Sequence, residues 1–481
     1  MKVLHVASEV APFAKTGGLA DVVGALPRAL AAIGEETAIV TPAYRVDGAR
    51  FGLTRRLDKA GITLGGEYFE VGILEGRIAA GSGEVRVFLL EHSLYDRAGI
   101  YNENGYDYGD NALRFALLSR AADRVARQCG FTANVLHAHD WPAAPCLLYA
   151  KRDLERTPAR TVLTIHNLAF VGQYGAHVVG ELGLGADLFH PGGIEFYGGV
   201  SFLKAGIQFA DRITTVSPRY AEEMLTPELG CGLDGVLREK AGRIVGILNG
   251  IDYEQWNPAN DPALAARYDA SALAGKHLVK ASLQRHFGLP EKPRTPLCGG
   301  VSRLTDQKGF DLVADALEGM LSTQDVQCVI LGAGDPHTEG RLRWLASRFP
   351  NQLAVHIGYD EQLAHRIYGG SDLFLMPSRY EPCGLGQLYA LRYGTVPLVR
   401  DTGGLHDTVI DFDSGSTNPT GFKFAEFAAN ALAQRWRRAL TVYENPDQWT
   451  SLMRAGMAED YSWEKSARSY AALYRTLFNE S

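Results

Sequence analysis

The feature that most constrains this chain is an alternation, run through twice, of short apolar stretches ending in polar or glycine residues and segments of helix length. "KVLHVAS" at 2–8 reads as a buried strand. Residues 19–34 read as a helix, with apolar positions at 19, 22, 23, 26, 30 and 33, and "TAIVTP" as the next strand. Strand, helix and strand in that order make a βαβ unit, which implies a parallel sheet with helices on both faces. Further strand-like runs stand at 85–91, 133–140, 161–167, 212–217 and 244–250. After 250 the texture changes to "GIDYEQWNPANDPA", a connector rich in Pro, Asn and Asp. A second series then begins, with strands predicted at 296–303, 327–334, 353–359, 372–378 and 396–401. Helices are predicted from about 310 and through "GLGQLYALRYG". The expectation is α/β: two Rossmann-like, doubly wound domains. An echo supports it, because Thr16-Gly17-Gly18-Leu19 recurs as Thr402-Gly403-Gly404-Leu405. The last segment, "SWEKSARSYAALYRTLF", has apolar residues at helical spacing and needs a surface to pack on.

With 481 residues the chain is long enough for two or three domains of roughly 150–200 residues each. Its net charge of −7 gives no sign of a general affinity for nucleic acid. No window approaches the ~18 consecutive apolar residues that span a bilayer. The N-terminus enters a strand directly, without a leader-like pattern, so the chain is expected to stay in the compartment where it is made, the cytoplasm. Six scattered cysteines with no CxxC pair read as reduced thiols.

In doubly wound sheets ligands bind beyond the carboxyl ends of the strands, so polar residues there are the site candidates. Lys15, Gly17 and Gly18 precede a helix whose first N–H groups can meet an anion; the bland alternative is an ordinary βα turn with a solvated lysine. It is not a Walker A loop, since GxxxxGK[ST] is absent. His137, His139 and Asp140 close one strand. HxH can ligate a metal, but the (β/α)₈ pattern that would supply the other ligands is missing, and buried structural histidines are the alternative. His166 closes another strand beside Asn167. Arg303 and Lys308 lie five residues apart just past a strand; together they can neutralise a diphosphate leaving group without a metal, or be solvated loop charges. Glu381 precedes Pro382, Cys383 and Gly384, with a helix expected to begin at Gly384. That arrangement puts a carboxylate beside an anion-binding helix terminus. Cys383 alone reads as a core thiol, and "DFD" at 411–413 as a chance DxD.

Taken in order, "KTGGLADVVGALP", "HAHDW", "TIHNLAFVGQY", "SFLKAG", "TTVSPRYAEE", "VSRLTDQKG", "PSRYEPCGLGQLYALRYGT" and "DTGGLHDTV" resemble bacterial glycogen synthases over nearly the whole length. The resemblance implies a GT-B fold, in which two Rossmann-like domains face each other across a deep cleft. It implies an N-terminal domain at 1–248, a nucleotide-sugar domain at 249–460 and a helix at 461–481 that returns to the first domain. It also implies an enzyme that moves the α-glucosyl unit of ADP-glucose, with retention, to the non-reducing 4-OH of an α-1,4-glucan. No metal or organic cofactor is expected. By the same resemblance Lys15, Gly17, Gly18 and Asp21 bind the donor. Arg303 and Lys308 hold the diphosphate, and Glu381 and the Cys383-Gly384-Leu385 turn hold the sugar. His166 supports the reacting sugar. Tyr95, Asp140, Asn249 and Tyr359 match further active-site positions, Tyr359 near the adenine. Glu381, Lys308, Arg303 and His166 are the expected catalytic set.

The chain departs from the family pattern at Gly386, where Thr is expected, which removes a hydroxyl. Tyr389 stands where many other GT-B enzymes carry a second Glu, and this fits the narrower group. A non-catalytic glucan-binding protein on the same scaffold could lose Glu381 or Lys308, and both are present. A glucan phosphorylase would need a pyridoxal phosphate lysine, for which no local signature stands. UDP-glucose is the competing donor.

Overall fold

The computed structural model describes residues 1–81, 83–153 and 159–479. The chain divides into two compact units, Met1–Gly250 with Trp463–Ser481, and Ile251–Ser462.

The first unit is built on a nine-stranded sheet: β1 Lys2–Val6, β2 Glu36–Pro42, β3 Thr54–Leu64, β4 Glu67–Ala80, β5 Gly83–Glu91, β6 Val135–His139, β7 Arg160–Ile165, β8 Arg212–Thr215 and β9 Ile244–Gly246. Their spatial order is β9-β8-β7-β6-β1-β2-β5-β4-β3. Strands β1 and β2 and β5 to β9 run parallel, and their apolar runs are covered on both faces. The β3–β4 hairpin joins antiparallel at the edge. Its turn is Gly65-Gly66, both at positive φ (57° and 90°), the backbone that a two-residue hairpin loop demands. The helix after β1, α1 Gly18–Ala32, buries Val22, Val23, Leu26 and Leu30 against the sheet.

The second unit carries a six-stranded, all-parallel sheet: β10 Leu297–Val301, β11 Gln327–Gly332, β12 Leu353–Ile357, β13 Leu373–Met376, β14 Val396–Arg400 and β15 Phe422–Phe424, in the order β12-β11-β10-β13-β14-β15. Helix α2 Phe310–Thr323 packs Val313, Leu317 and Met320 into a core with Ile330, Leu398 and Trp436. Two short helices follow strands β13 and β14: α3 Gly386–Arg392 and α4 Gly403–Thr408.

The final helix, α5 Trp463–Asn479, belongs to the first unit. It buries Ala467, Tyr470, Ala471, Tyr474 and Leu477 among Val3, Val22, Leu26 and Leu30. At about 1.5–3 kcal/mol per fully buried large apolar side chain, that stripe explains why the segment is helical and docked. Tyr474 also places its hydroxyl 2.8 Å from His137 Nδ1, and Ser466 Oγ donates to Leu248 O at 2.6 Å.

In each sheet the chain order reverses between two neighbouring strands, β1 and β6 in the first and β10 and β13 in the second. A crevice forms beyond the carboxyl ends of strands at such a point.

Candidate active site

In the first unit β1 leads through Ser8 and Glu9 into the turn before α1. Glu9 is buried, and its Oε2 accepts hydrogen bonds from Thr16 N (2.6 Å) and Gly17 N (3.0 Å). Its Oε1 accepts from the Tyr101 hydroxyl at 2.6 Å. The N–H groups expected to meet an anion are those of the helix that follows; just ahead of it, the Thr16 and Gly17 N–H groups are held by a carboxylate of the chain itself. Glu9 therefore shapes the turn, a role that seven residues of separation conceal. Lys15 Nζ lies 2.7 Å from Asp21 Oδ1, with 49% and 41% of the two side chains exposed. A pair this exposed contributes little stability. Gly17 sits at an ordinary extended φ of −149°. A Cβ on Gly17 or Gly18 would meet nothing within 4 Å. No steric clash in the fold requires glycine at either position.

Beside this turn, β6 and β7 end in His139, Asp140 and His166. The parallel register sets His5 on β1 opposite His137 on β6, and alternation puts His139 on the same face. The result is a chain of imidazoles: His5 Nδ1 lies 3.0 Å from His139 Nε2, and His139 Nδ1 lies 3.0 Å from His166 Nε2. Burial pushes His5 and His166 down to about 3 and His139 well below its usual value, so all three are neutral. His5, His137 and His139 bring ligand atoms within 4.8 Å of one another. Both His137 nitrogens are already bonded, to Tyr474 and to Thr164 Oγ1 (2.6 Å), and both His139 nitrogens to the other rings. A metal would have to displace those bonds. Asp140, at φ 57°, accepts from His166 N at 2.7 Å. Burial pushes its carboxyl up to about 7, partly offset by the His166 and Asn167 N–H groups, while the Glu9 charge adds to the rise.

In the second unit, Arg303 and Lys308 follow β10, and Glu381 follows β13, on the two sides of the switch point. Lys308 Nζ lies 2.6 Å from Glu381 Oε2, which also accepts from Ser378 Oγ at 2.9 Å. Both side chains are largely buried, at 19% and 6% exposed. Glu381 Oε1 has no partner among the described residues, and neither has the exposed Arg303 guanidinium. Arg379 ties the two loops together, its N–H donating to Gln307 O (2.8 Å) and its guanidinium to Asp306 Oδ1 (2.8 Å). Gly309, at φ 68°, lets the chain turn where a Cβ would meet Pro377 O at 2.2 Å.

Helix α3 starts at Gly386, two residues later than the sequence pattern suggested. Gly384 instead forms a left-handed turn at φ 71°, and Leu385 precedes the helix. Buried Gln387 holds that turn through Nε2 bonds to Cys383 O (3.0 Å) and Gly384 O (2.9 Å). At Gly386 a Cβ would lie 3.2–3.3 Å from Met376 Sδ, the Phe374 ring and the Tyr368 hydroxyl, so those neighbours occupy the room a threonine would use. Tyr389 stacks on Trp256 at 3.8 Å, which accounts for an aromatic residue there. The second TGGL turn lies directly behind Glu381: Gly404 N donates to Glu381 O at 3.0 Å. Asp401, in the place of Lys15, is paired with Lys423 (3.0 Å) and His406 (2.8 Å).

Three sequence candidates stand apart from these groups. Tyr95 is fully buried and donates to Arg114 O at 2.9 Å, so it belongs to the core beneath the turn and offers a ligand no contact. Asn249, past β9, is buried with Oδ1 lacking a hydrogen-bond partner. Tyr359 follows the edge strand β12 and is 82% exposed.

Two Rossmann-like units, each with its polar residues gathered at a switch point, define a GT-B glycosyltransferase. Residues 2–239 match the family model of the starch synthase catalytic domain, and residues 283–454 that of glycosyl transferases group 1. A glycogen synthase from Anaeromyxobacter sp. (strain Fw109-5) is 48% identical over 99% of both chains. One from Myxococcus xanthus (strain DK1622) is 46% identical over all of both. The catalytic domain of starch synthase IV from Arabidopsis thaliana, solved bound to ADP and acarbose, superposes with a TM-score of 0.89 at 34% identity, covering 99% of each chain. The chain belongs to the glycogen synthase family and is an enzyme. Among the described residues, no helix is long and apolar enough to cross a membrane.

Proposed function

We propose that the chain transfers the α-glucosyl unit of ADP-glucose, with retention, to the non-reducing 4-OH of an α-1,4-glucan and releases ADP. The observation that carries this reading is the Lys308–Glu381 pair at the second switch point, with Glu381 Oε1 and Arg303 both unengaged. The Arabidopsis relative is bound to ADP and acarbose.

As the bond from the anomeric carbon to phosphate breaks, positive charge grows on the sugar and negative charge on the departing diphosphate. Arg303 offers a bidentate fork to the phosphate and Lys308 a point charge, which together stabilise the leaving group without a metal. Glu381 Oε1 accepts from a sugar hydroxyl. The turn at Cys383, Gly384 and Leu385 lies against sugar and phosphate, and Lys15, Asp21, Gly17 and Gly18 complete the donor contacts. Asp140, Asn249 and His166 contribute from the strand ends of the first unit, and Tyr359 lies near the adenine. Retention follows from return on the same face: the new bond from the anomeric carbon to O4 forms as the phosphate bond breaks, and the 4-OH proton goes to the departing phosphate.

The test offers ADP-glucose and UDP-glucose separately with glycogen and follows nucleoside diphosphate release. Much faster release from ADP-glucose is expected; no release from either donor overturns the reading.

A further inference from the structure

We infer that the buried chain from His5 through His139 fixes His166 as the Nδ1–H tautomer, so that His166 meets its ligand as a hydrogen-bond donor and never as a base. His5 and His139 are the positioning residues. The inference deepens the proposed reaction and rests on that reading only for what the ligand is.

Three neutral rings carry three protons among six nitrogens. Each of the two gaps, His5 Nδ1 to His139 Nε2 and His139 Nδ1 to His166 Nε2, is 3.0 Å and takes one proton. One proton remains for two ends. The His5 end is sealed: His5 is 0% exposed, and its Nε2 is buried with no hydrogen-bond partner. Placed there, the proton would make an orphaned N–H, the rarer and costlier defect in protein interiors. The His166 end is open: His166 is only partly buried, and its Nδ1 is not among the buried unpartnered atoms. The last proton therefore sits on His166 Nδ1, where water or a ligand oxygen can accept it. All three rings then donate from Nδ1, each to the next. The intrinsic preference of a free imidazole for Nε2–H runs the other way, and the sealed end outweighs it. Burial keeps the rings neutral at working pH.

The consequence is chemical. His166 has no lone pair facing the ligand, so it cannot take the acceptor hydroxyl's proton. It can donate to an electronegative oxygen of the reacting glucosyl unit, which agrees with a proton that leaves on the phosphate.

The test is a long-range ¹H–¹⁵N correlation spectrum of the full chain labelled at histidine nitrogens, without ligand at pH 7.5. His166→Gln and His5→Gln supply the assignments. A protonated Nδ1 and a bare Nε2 on His166 are expected; a bare Nδ1, or both nitrogens protonated, overturns the inference. In His139→Phe, His166 Nε2 loses its neighbour, so the Nε2–H form is expected to grow in and kcat to fall about tenfold with donor KM little changed. An unchanged tautomer with an unchanged kcat refutes the positioning role. If His139→Phe does not fold, the wild-type spectrum alone decides. Because the spectrum is recorded without substrate, it stands or falls separately from the donor assay.

Discussion

The turn at Thr16–Leu19 and the turn at Thr402–Leu405 share four residues and differ in what surrounds their glycines. Beside Gly17 and Gly18 an added Cβ meets nothing within 4 Å. At Gly403 it would lie 2.0 Å from Glu381 O, at Gly404 2.0 Å from Cys383 O, and Gly403 also sits at φ 45°. The first pair meets no steric demand for glycine; the second is glycine because the backbone carrying Glu381 is pressed against it. The residue in front follows the same division, with Lys15 in an exposed pair and Asp401 locked to Lys423 and His406. One motif thus stands in open space in one unit and buttresses the Glu381 loop in the other.

The largest effect is expected where the buttressed loop carries chemistry. Lys308→Ala and Glu381→Ala should each lower kcat by about 10²–10³-fold, as loss of a preorganised charge does, with a circular dichroism spectrum that keeps the native fold. Near-normal rates in both would remove the reason for a buttress. Gly404→Ala comes next. Its Cβ must displace backbone, so a loss of about 1–3 kcal/mol is expected, read as a melting point several degrees lower and accompanied by reduced turnover.

Asp140→Asn separates activity from stability in the first unit. The folded carboxyl is raised from 3.8 to about 7, so the native state holds its proton more tightly than the unfolded chain does. The stability this gives is full below pH about 4 and is lost as pH rises through 7. The Asn variant should therefore gain melting temperature over wild type at pH 8 and show less gain at pH 4, while turnover falls. An equal gain at both pH values would mean that the carboxyl is not perturbed. His5 and His166, held at about 3, act in the opposite sense: their contribution is present above pH 6.5 and is lost as acid protonates the unfolded chain. Gly386→Thr should have a smaller effect, a destabilisation of about 1 kcal/mol as Met376, Phe374 and Tyr368 give way, measured by denaturant melt.

Much of this was legible in the sequence because strands buried on both faces are written as continuous apolar runs. "KVLHVAS" and "PLCGGVSR" became β1 and β10, and each switch point collects residues that follow such runs. The β3–β4 hairpin was not legible, because "TRRLDKAGITL" is mostly exposed and opens with a charged half, as an edge strand can. Glu9 and the His5–His139–His166 chain were hidden for another reason. Glu9 acts on a turn seven residues further along, and the histidine chain exists only through strand register, which aligns His5 with His137 and brings residues 134 positions apart within 3.0 Å. Tyr95 shows the converse: its motif stands at the site's margin, yet its side chain turns into the core. The two TGGL turns differ in sequence by Lys15 against Asp401 in front, but the steric demand on their glycines shows only in what lies within 4 Å of a missing Cβ.

The most direct measurement is a paired one on Gly17→Ala: thermal melting and the dependence of turnover on ADP-glucose concentration, from the same preparation. The account expects melting unchanged or slightly raised, since alanine suits an extended φ and restricts the unfolded chain, together with a donor KM raised about tenfold. A melting point lowered by several degrees with donor KM unchanged would contradict it and make both turns structural.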